Sequence, residues 1–311
     1  MENFRLKVFR TVAEKRNFRH AAEALYLTQP AVTLQVKALE DEVGLQLFDR
    51  SGKTVELTEA GTRLLKHAEQ IATLVHSAHQ ELAQLKGPNH GELKVGASTT
   101  IAQYVLPRLI GGFILGDPGI QLSVHSGNTD KVVHDLVEGY LYIGLVEGPA
   151  RQPLLKAERF LADEVAVIIS GGHEWAGQTI SIDQLSKAPL IFREEGAGTR
   201  RVVEAAIRTR MPLKDIHVVM ELDSTEAIKA AVEAGLGIGF VSRRAISKEM
   251  TLGTLKEVAV ESLRFRRDFS ILYPRGPEPS GPAGTFLLFL RATRDRDGSH
   301  DSKELIAQKN C

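Results

Sequence analysis

The chain has 311 residues, which is too long for one ordinary domain, so two or three folding units are expected. Lys plus Arg and Asp plus Glu both number 39, so no global charge draws the chain to nucleic acid or to a membrane surface. The only cysteine, Cys311, excludes an internal disulfide framework. With no visible signal peptide and no apolar run near ~20 residues, we expect a cytoplasmic protein without membrane contact.

After an amphipathic helix over residues 4–15, the segment from Asn17 to Glu42 is typical of two short helices joined by a tight turn. Phe18, Ala21, Ala22 and Leu25 form the apolar stripe of the first helix, and Val32, Val36, Leu39 and Val43 that of the second. Small residues let the helices cross closely, as a DNA-reading helix-turn-helix requires. Two short extended runs around Ser51-Gly52 then indicate a β-hairpin wing, which gives a winged helix-turn-helix over residues 1–58.

The predicted DNA contacts lie mainly on the outward face of the second helix, with Arg19 on the first helix and Arg50 and Lys53 in the wing. Gln29 is suited to an adenine edge, and Pro30 and Leu34 to thymine methyl groups. The positively charged candidates suit phosphate, although each charge taken alone is more commonly a solvated side chain. The predicted DNA-binding set is Arg19, Thr28, Gln29, Pro30, Thr33, Leu34, Lys37, Arg50 and Lys53.

Residues 59–87 are predicted to form one long helix that starts after Thr58 and stops at Gly87-Pro88. Apolar residues alternate spacings of four and three along it, which favours a coiled-coil dimerisation seam over a helix lying on its own domain. The seam is Leu64, Ala68, Ile71, Val75, Ala78, Leu82 and Leu85. His76 and His79 have a spacing that suits a metal ion, but solvated histidines are expected, and no metal site is predicted.

From Gly91 the pattern changes to strands alternating with helices, which argues for parallel sheets with crossover helices. A stretch of this length favours two small lobes over one sheet. Strands are predicted at 93–97, 120–124, 142–146, 165–169, 190–192, 217–221, 238–242 and 269–273. Helices are predicted at 100–113, 129–138, 199–208, 224–234 and 282–294. Residues 295–311 are predicted to form a polar, mobile tail.

Hydroxyl, amide or glycine residues stand at four points where a predicted strand ends and a helix begins. Helix starts offer free N–H groups to an anion, and ligands of doubly wound sheets collect at the carboxyl ends of strands. Ordinary helix capping is the alternative at each point. Glu147 and Arg193 follow strand ends and either contact the ligand or lie at its rim. The predicted effector-binding set is Ser98, Thr99, Thr100, Asn128, Thr129, Glu147, Arg193, Gly198, Thr199, Ser224 and Thr225.

The sequence does not predict an enzyme or a cofactor. It contains no P-loop, metal-spaced Cys/His set or nucleophile elbow. The glycines of Gly235–Gly239 follow a helix and precede a strand, which is the reverse of the dinucleotide-binding order. Two other classes of protein fit the sequence less well. A solute-binding receptor lacks a groove-reading helix and carries an export signal, and a small-molecule transferase or dehydratase needs a catalytic set that is not found.

The segment NFRHAAEALYLTQPAVTLQVKALEDEVGLQLFDRSGKTVELTEAG resembles the winged helix-turn-helix of LysR-type transcriptional regulators. The resemblance extends to about residue 294 and implies an α+β multidomain protein. In this arrangement a long linker helix joins the DNA-binding domain to a two-lobed α/β domain, similar to periplasmic binding proteins, over residues 91–294. Lobe I would be 91–162 with 267–294, and lobe II 163–266. Two departures from the family are His20, where many members have Arg, and Leu34, which is often polar.

The resemblance also implies partners. These are double-stranded DNA, a small anionic effector held between the lobes, RNA polymerase, and further copies of the chain in a homotetramer that is a dimer of dimers. The segments GASTTIAQYVLP, SGNTDKVV, GLVEG and REEGAGTR look most similar to regulators of sulfur assimilation and of autotrophic carbon fixation. Sulfite, sulfate-like anions and phosphorylated metabolites are the effectors that this implies.

Overall fold

The computed structural model describes residues 3–25, 27–49, 55–84, 91–116, 119–148, 150 and 152–307. The chain divides into two compact units, one of residues 1–82 with 137–139 and the other of residues 83–136 with 140–311. Among the described residues, no helix is both long and apolar enough to cross a membrane.

The described part of the first unit contains four helices and a small hairpin. In chain order these elements are α1 (Phe4–Lys15), α2 (Phe18–Leu25), α3 (Gln29–Val43), β1 (Phe48–Asp49), β2 (Glu56–Leu57) and α4 (Glu59–Gln84). Strands β1 and β2 pair antiparallel. The second helix of the predicted pair, α3, has Pro30 in its first turn, where a missing N–H costs nothing, and ends at Gly44 with φ 72°.

The predicted apolar stripes of α2 and α3 form the core of this unit. The α1 side chains of Val8, Phe9 and Val12 pack against Ala21 and Ala22 of α2 and against α3 and β1. Among the predicted stripe residues of α3, Val32, Val36 and Leu39 are buried, whereas Val43 is 43% exposed. The periodicity therefore located the core but overestimated the length of the buried face by one turn.

The base of the wing is fixed by close contacts. The Glu40 carboxylate accepts the backbone N–H groups of Leu47 at 2.9 Å and Phe48 at 3.3 Å. The Thr58 hydroxyl accepts Gly61 N–H at 3.0 Å, so Thr58 caps α4 as predicted. A Cβ at Gly61 would lie 2.1 Å from the Leu47 carbonyl oxygen, so only glycine allows this approach.

Helix α4 carries an apolar face that is only partly covered. Ala68 is buried, whereas Ile71 is 42% and Leu82 54% exposed along the predicted seam, and Leu74 is 74% exposed beside it. The described helix ends at Gln84, and the predicted stop near residue 87 lies outside the described residues.

The second unit contains ten strands and seven α-helices among its described residues. The strands are β3 (Gly91–Ser98), β4 (Ile120–Gly127), β5 (Ile143–Glu147), β6 (Leu155–Ser170), β7 (Thr179–Ile180), β8 (Leu190–Arg193), β9 (Val218–Leu222), β10 (Ile238–Ser242), β11 (Leu255–Val260) and β12 (Phe265–Pro274). The helices are α5 (Leu106–Gly116), α6 (Thr129–Val137), α7 (Ile182–Lys187), α8 (Gly198–Arg208), α9 (Thr225–Glu233), α10 (Ser247–Leu252) and α11 (Gly281–Ala307). A π-helical turn, Ile101–Val105, precedes α5.

Two sets of three parallel strands lie at the ends of one continuous hydrogen-bonded path, in the order β4-β3-β5-β12-β6-β10-β8-β9. We call β3, β4 and β5 the first trio and β8, β9 and β10 the second trio. The long strands β6 and β12 join them and pair antiparallel with their neighbours. The expectation of parallel strands is therefore wrong at the centre. The two trios also do not form two separate sheets, because the long strand β6 pairs with β12 in its first part and with β10 in its second part.

Separate hydrophobic cores nevertheless flank each trio. One core contains Val95, Ile143, Phe269 and Phe286, from the first trio, β12 and α11. The cores of the second trio lie on its two faces, around Phe240 and Ile228 respectively. Each trio is thus packed as its own layered body, although the strand path is shared.

Four elements were not predicted: β7, α7, α10 and β11. The first half of β6 was also missed, because only Leu155, Phe160 and Leu161 are buried there and the strand alternation is broken. Helix α11 continues to Ala307, beyond its predicted end at residue 294. The composition of residues 295–307 is polar, but Asp, Lys, Glu and Ala are compatible with a helix, so polarity alone did not mark its end.

Candidate functional site

The predicted DNA-reading face of α3 is exposed to solvent. Thr28, Gln29, Pro30 and Lys37 are exposed, and Leu34 is 64% exposed. An exposed leucine of this size in mid-helix contributes nothing to the core. The face is therefore available to a partner along its length.

Few intramolecular bonds engage this face. The Thr33 hydroxyl donates to the Gln29 backbone carbonyl at 3.0 Å, and Gln29 itself is exposed. Arg19 lies on α2, where its Nε atom contacts Glu23 Oε1 at 3.2 Å in an exposed pair. Such a pair is weak and easily exchanged for a phosphate. The predicted wing contacts Arg50 and Lys53 lie outside the described residues.

In the second unit, the predicted effector residues meet where the carboxyl ends of the two trios face each other. Glu147, at the end of β5, is 2% exposed. Its Oε1 atom accepts the Ser98 hydroxyl at 3.1 Å and the Thr100 backbone N–H at 3.2 Å, and its Oε2 atom accepts the Thr199 hydroxyl at 2.8 Å. The helix starts of both trios are thus joined through one buried carboxylate.

A buried arginine that the sequence analysis missed completes this cluster. Arg267 of β12 donates from Nη1 to Glu147 Oε2 at 2.5 Å and to the Thr199 hydroxyl at 2.8 Å. Its Nε atom donates to Asp163 Oδ2 at 2.7 Å, and Asp163 Oδ1 accepts the Ser242 hydroxyl at 2.7 Å. The Arg267 guanidinium therefore bonds the carboxylates of Glu147 and Asp163 and the Thr199 hydroxyl, and it links groups of both trios.

The signal for this cluster was present in the sequence. Phe265 and Phe269 alternate inward along β12, and Arg267 stands at the inward position between them. A charge in that register needs a buried partner, and its cross-strand neighbour in β6 is Asp163. Ser242 also ends a predicted strand, but it precedes a short 3-10 turn instead of a predicted helix, so the strand-to-helix rule missed it.

The pKa of Glu147 reflects this environment. Burial, the largest influence, alone would raise it, but Arg267, hydrogen bonds involving Thr100 and Thr199, and the charge of Arg193 together lower the pKa to about 2. Glu147 is therefore ionised at neutral pH. Its carboxylate accepts hydrogen bonds from Ser98, Thr100 and Thr199 at the helix starts, and without Glu147 these donors would be free to bind a ligand.

A second buried cation, Arg193 at the end of β8, lies beside this cluster and is 4% exposed. Its Nη1 atom donates to the Thr225 hydroxyl at 3.3 Å, and its Nη2 atom donates to the Thr99 hydroxyl at 3.5 Å and the Asp223 carbonyl at 3.2 Å. Its shorter bonds go to Glu194, from Nε to Oε2 at 2.8 Å and from Nη2 to Oε1 at 3.1 Å. Arg193 thus faces polar groups of both trios.

Three of the remaining predicted residues lie at the same junction. The Thr129 hydroxyl donates to the Glu147 carbonyl at 3.3 Å, and Asn128 Nδ2 donates to the Glu195 carbonyl at 3.4 Å. A Cβ at Gly198 would lie 2.2 Å from the Glu147 carbonyl oxygen, so glycine is needed for α8 to start there. The structure places these groups together across the two trios.

Ser224 is the clearest case of simple capping, because its hydroxyl accepts the Ala227 N–H of α9 at 3.4 Å. Ordinary helix capping, the alternative to ligand binding at each helix start, therefore accounts for Ser224. Near it lies a further link that the sequence did not reveal. Lys229 of α9 donates to the Tyr104 hydroxyl at 3.4 Å, to Glu226 at 2.9 Å and to the Ala245 carbonyl at 3.0 Å.

Both the DNA-reading part and the second unit match known protein families. Residues 4–62 match the family model of the bacterial regulatory helix-turn-helix protein, lysR family, and residues 86–295 match the LysR substrate binding domain. The chain belongs to the LysR family. It is therefore a DNA-binding transcriptional regulator, not an enzyme, and α2, α3 and the β1–β2 hairpin are its winged helix-turn-helix.

Two relatives of this LysR regulator are similar to it over most of its length. The RuBisCO operon transcriptional regulator of Allochromatium vinosum is 36% identical over 286 residues, covering 92% of this chain and 94% of the relative. The HTH-type transcriptional regulator CbbR of Rhodospirillum rubrum is 34% identical over 287 residues, covering 92% and 95% respectively.

Solved structures support the fold. The regulatory domain of Synechocystis CcmR in complex with 2-PG is 29% identical, with a TM-score of 0.60, and covers 66% of this chain and 98% of that chain. Full-length CbnR complexed with its target DNA has a TM-score of 0.55 at 22% identity, covering 94% of this chain and 100% of that chain, and shows likeness of fold alone.

Proposed function

We propose that this LysR regulator controls genes of autotrophic carbon fixation in response to a small phosphorylated carboxylic acid bound at the junction of the two trios. The observation that carries the ligand class is buried Arg193, an anion-binding side chain with hydroxyl groups of both trios around it. The gene class is supported by relatives named for RuBisCO regulation at 34–36% identity. Among the effectors implied by the sequence, the 2-PG bound to the CcmR regulatory domain favours phosphorylated metabolites over sulfite and sulfate-like anions.

The DNA-binding set contains Arg19, Thr28, Gln29, Pro30, Thr33, Leu34, Lys37, Arg50 and Lys53. Its described members are exposed in the structure, apart from the half-buried Thr33, which suits groove and phosphate contacts. We assign base contacts to Gln29, Pro30 and Leu34 and phosphate contacts to the charged residues.

The effector domain is proposed to cover residues 91–294. Lobe I contains the first trio and lobe II the second, with β6 and β12 as the connection. The effector-binding set contains Ser98, Thr99, Thr100, Asn128, Thr129, Arg193, Gly198, Thr199 and Thr225. Glu147 acts as a fixed internal anion, and Ser224 as the cap of α9.

Assembly as a homotetramer, a dimer of dimers, is the proposed active form. The support is a pair of uncovered apolar surfaces in the single chain. One is on α4, where Ile71, Leu74 and Leu82 are exposed, and the other is at the edges of the sheet, where Val124 of β4 and Val218 of β9 are more than 40% exposed. A coiled-coil seam and a sheet edge are both surfaces that a second copy can cover.

Control of transcription then follows from linkage. A ligand that binds one packing of the lobes better than another shifts the assembly toward that packing, which changes the spacing of paired α3 helices on DNA. We propose that this change admits or excludes RNA polymerase in the cytoplasm.

Ligand-dependent stabilisation tests the effector proposal. The Tm of the full chain is measured with 2-phosphoglycolate, the 2-PG seen in the CcmR complex, and with sulfate at equal ionic strength. A ligand at 100 times its Kd stabilises the native state by about 2.7 kcal/mol. We expect a rise in Tm with 2-phosphoglycolate that exceeds the rise with sulfate. Equal or absent shifts contradict the phosphorylated-acid class.

A further inference from the structure

The effector junction contains an ion pair between neighbouring residues in which one partner is buried and the other is at the surface. The Arg193 side chain is 3% exposed, whereas the Glu194 side chain is 21% exposed. Glu194 reaches Arg193 with both carboxylate oxygens, at 2.8 Å to Nε and 3.1 Å to Nη2. These two N–H groups lie on one edge of the guanidinium, which is the edge that a carboxylate or phosphate grips with two parallel bonds.

The other bonds of Arg193 are longer. They run to Thr225 at 3.3 Å, to Thr99 at 3.5 Å and to the Asp223 carbonyl at 3.2 Å. All three acceptors are neutral, so Glu194 is the carboxylate in direct contact with this guanidinium. A buried guanidinium without a counter-ion is strongly unfavourable, and Glu194 removes that penalty when no ligand is bound.

Most donors around Glu147 are already occupied by its own carboxylate, and the exception among the described residues, Arg267 Nη2, is fully buried. The Glu147 carboxylate already accepts Ser98, Thr100, Thr199 and Arg267, and its pKa is held at about 2. An incoming anion there would have to displace a fully buried charge. Displacing Glu194 is easier, because its side chain is partly exposed and can rotate into water.

We propose that Glu194 is a built-in competitor for the effector, and that the oxyacid group of the effector replaces its carboxylate on the Nε and Nη2 edge of Arg193. This inference rests on the proposed function and refines it. When a carboxylate or phosphate of the effector takes the place of the Glu194 carboxylate, the buried charge of Arg193 stays paired. Glu194 therefore sets the effector concentration to which the regulator responds, because the apparent Kd is the intrinsic Kd divided by the fraction of sites that Glu194 leaves open.

Isothermal titration of the full-length protein with 2-phosphoglycolate tests this. Glu194→Gln keeps the shape of the side chain but removes its charge, and we expect its Kd to be about tenfold lower than that of the unmodified protein. Glu194→Asp keeps the charge but shortens the reach, so its Kd should also fall. Arg193→Gln should lose measurable binding. The matched control is Glu195→Gln, which removes an exposed charge one residue away that does not bond Arg193, and its Kd should stay within twofold.

Glycolate and inorganic phosphate identify which end of the probe meets Arg193. The end that binds Arg193 is the one whose fragment gains affinity in Glu194→Gln. The Tm of each variant without ligand confirms that it is folded. If Glu194→Gln and the unmodified protein bind 2-phosphoglycolate equally well, the competitor inference is wrong and the proposed function stands. An equal gain in Glu195→Gln also overturns the inference, because it would show a general charge effect. Absence of binding to every one of these proteins contradicts both proposals.

Discussion

The outward face of α3 and the buried cluster around Arg267 use polar residues in opposite ways. Gln29, Lys37 and Leu34 are exposed and form few bonds within the chain. Arg267 and Glu147 are buried and bonded from several sides. A substitution on the first surface should change binding and leave folding intact. A substitution in the second should change folding first, so its effect on regulation is read only after stability is measured.

The largest effect is expected at the buried cluster. Arg267→Met removes the guanidinium shared by Glu147 and Asp163, leaves two buried carboxylates uncompensated, and should lower the free energy of unfolding by about 3–5 kcal/mol. Urea denaturation of the full chain measures it. Arg266→Met, at the next position on the exposed face of β12, is the matched control and should stay within about 0.5 kcal/mol. Equal losses in the two variants would show that the cluster does not stabilise the fold.

Acid should weaken the same cluster. The pKa of Glu147 is about 2 in the folded protein, below its usual value of 4.5, so its stabilisation is complete above pH 4.5 and is lost as pH falls toward 2. The urea midpoint measured at several pH values should therefore drop in this range. Glu147→Gln, already destabilised at neutral pH, should show a shallower drop. An identical pH dependence in both proteins would remove Glu147 as the cause.

On the other surface, Gln29→Ala should weaken binding to specific DNA by about 1–3 kcal/mol, because it removes a base-edge contact. Fluorescence anisotropy measures this with a duplex that the unmodified protein selects from a random library. Gln35→Ala is the matched control, since Gln35 is half-buried on the same helix and lies about 120° around the helix axis from Gln29. Both variants should unfold at the same urea concentration to within about 0.5 kcal/mol. A loss of only a few tenths for Gln29→Ala would exclude it from the reader.

The smallest effect concerns phosphate contact by Lys37. Lys37→Ala should weaken specific and nonspecific DNA equally and reduce the slope of log K against log salt by about 0.9. Anisotropy titrations at several salt concentrations give the slope. An unchanged slope, or a loss confined to the specific duplex, would mean that Lys37 does not contact phosphate.

The parts of the fold that the sequence predicted were those with strong local patterns. The stripe of Val32, Val36 and Leu39 located α3, and the hydroxyl, amide or glycine residues at predicted helix starts located the ends of β3, β4, β8 and β9. Most of the proposed effector residues lie at the junction of the trios for the same reason, because strand ends follow from local pattern and then meet through a general rule of parallel sheets.

What could not be predicted depended on distant partners. The pairing of Arg267 with Asp163 joins residues far apart in the chain, and it is visible only when the register of β6 against β12 is known. The length of β6 was hidden because its first half alternates poorly. Lys229 and Tyr104 meet across the two trios without any sequence signal that links them. The strand register and the contacts between the trios depend on the packed sheet, so a single segment of sequence does not reveal them.

The central claim is that ligand binding between the trios alters how α3 meets DNA. DNase footprinting of the full-length protein on its selected duplex, with and without saturating 2-phosphoglycolate, tests it most directly, with Arg193→Gln as the comparison. The account predicts that the ligand changes the length or spacing of the protected region for the unmodified protein and leaves that of Arg193→Gln unaltered. Identical footprints with and without bound ligand in the unmodified protein would contradict it.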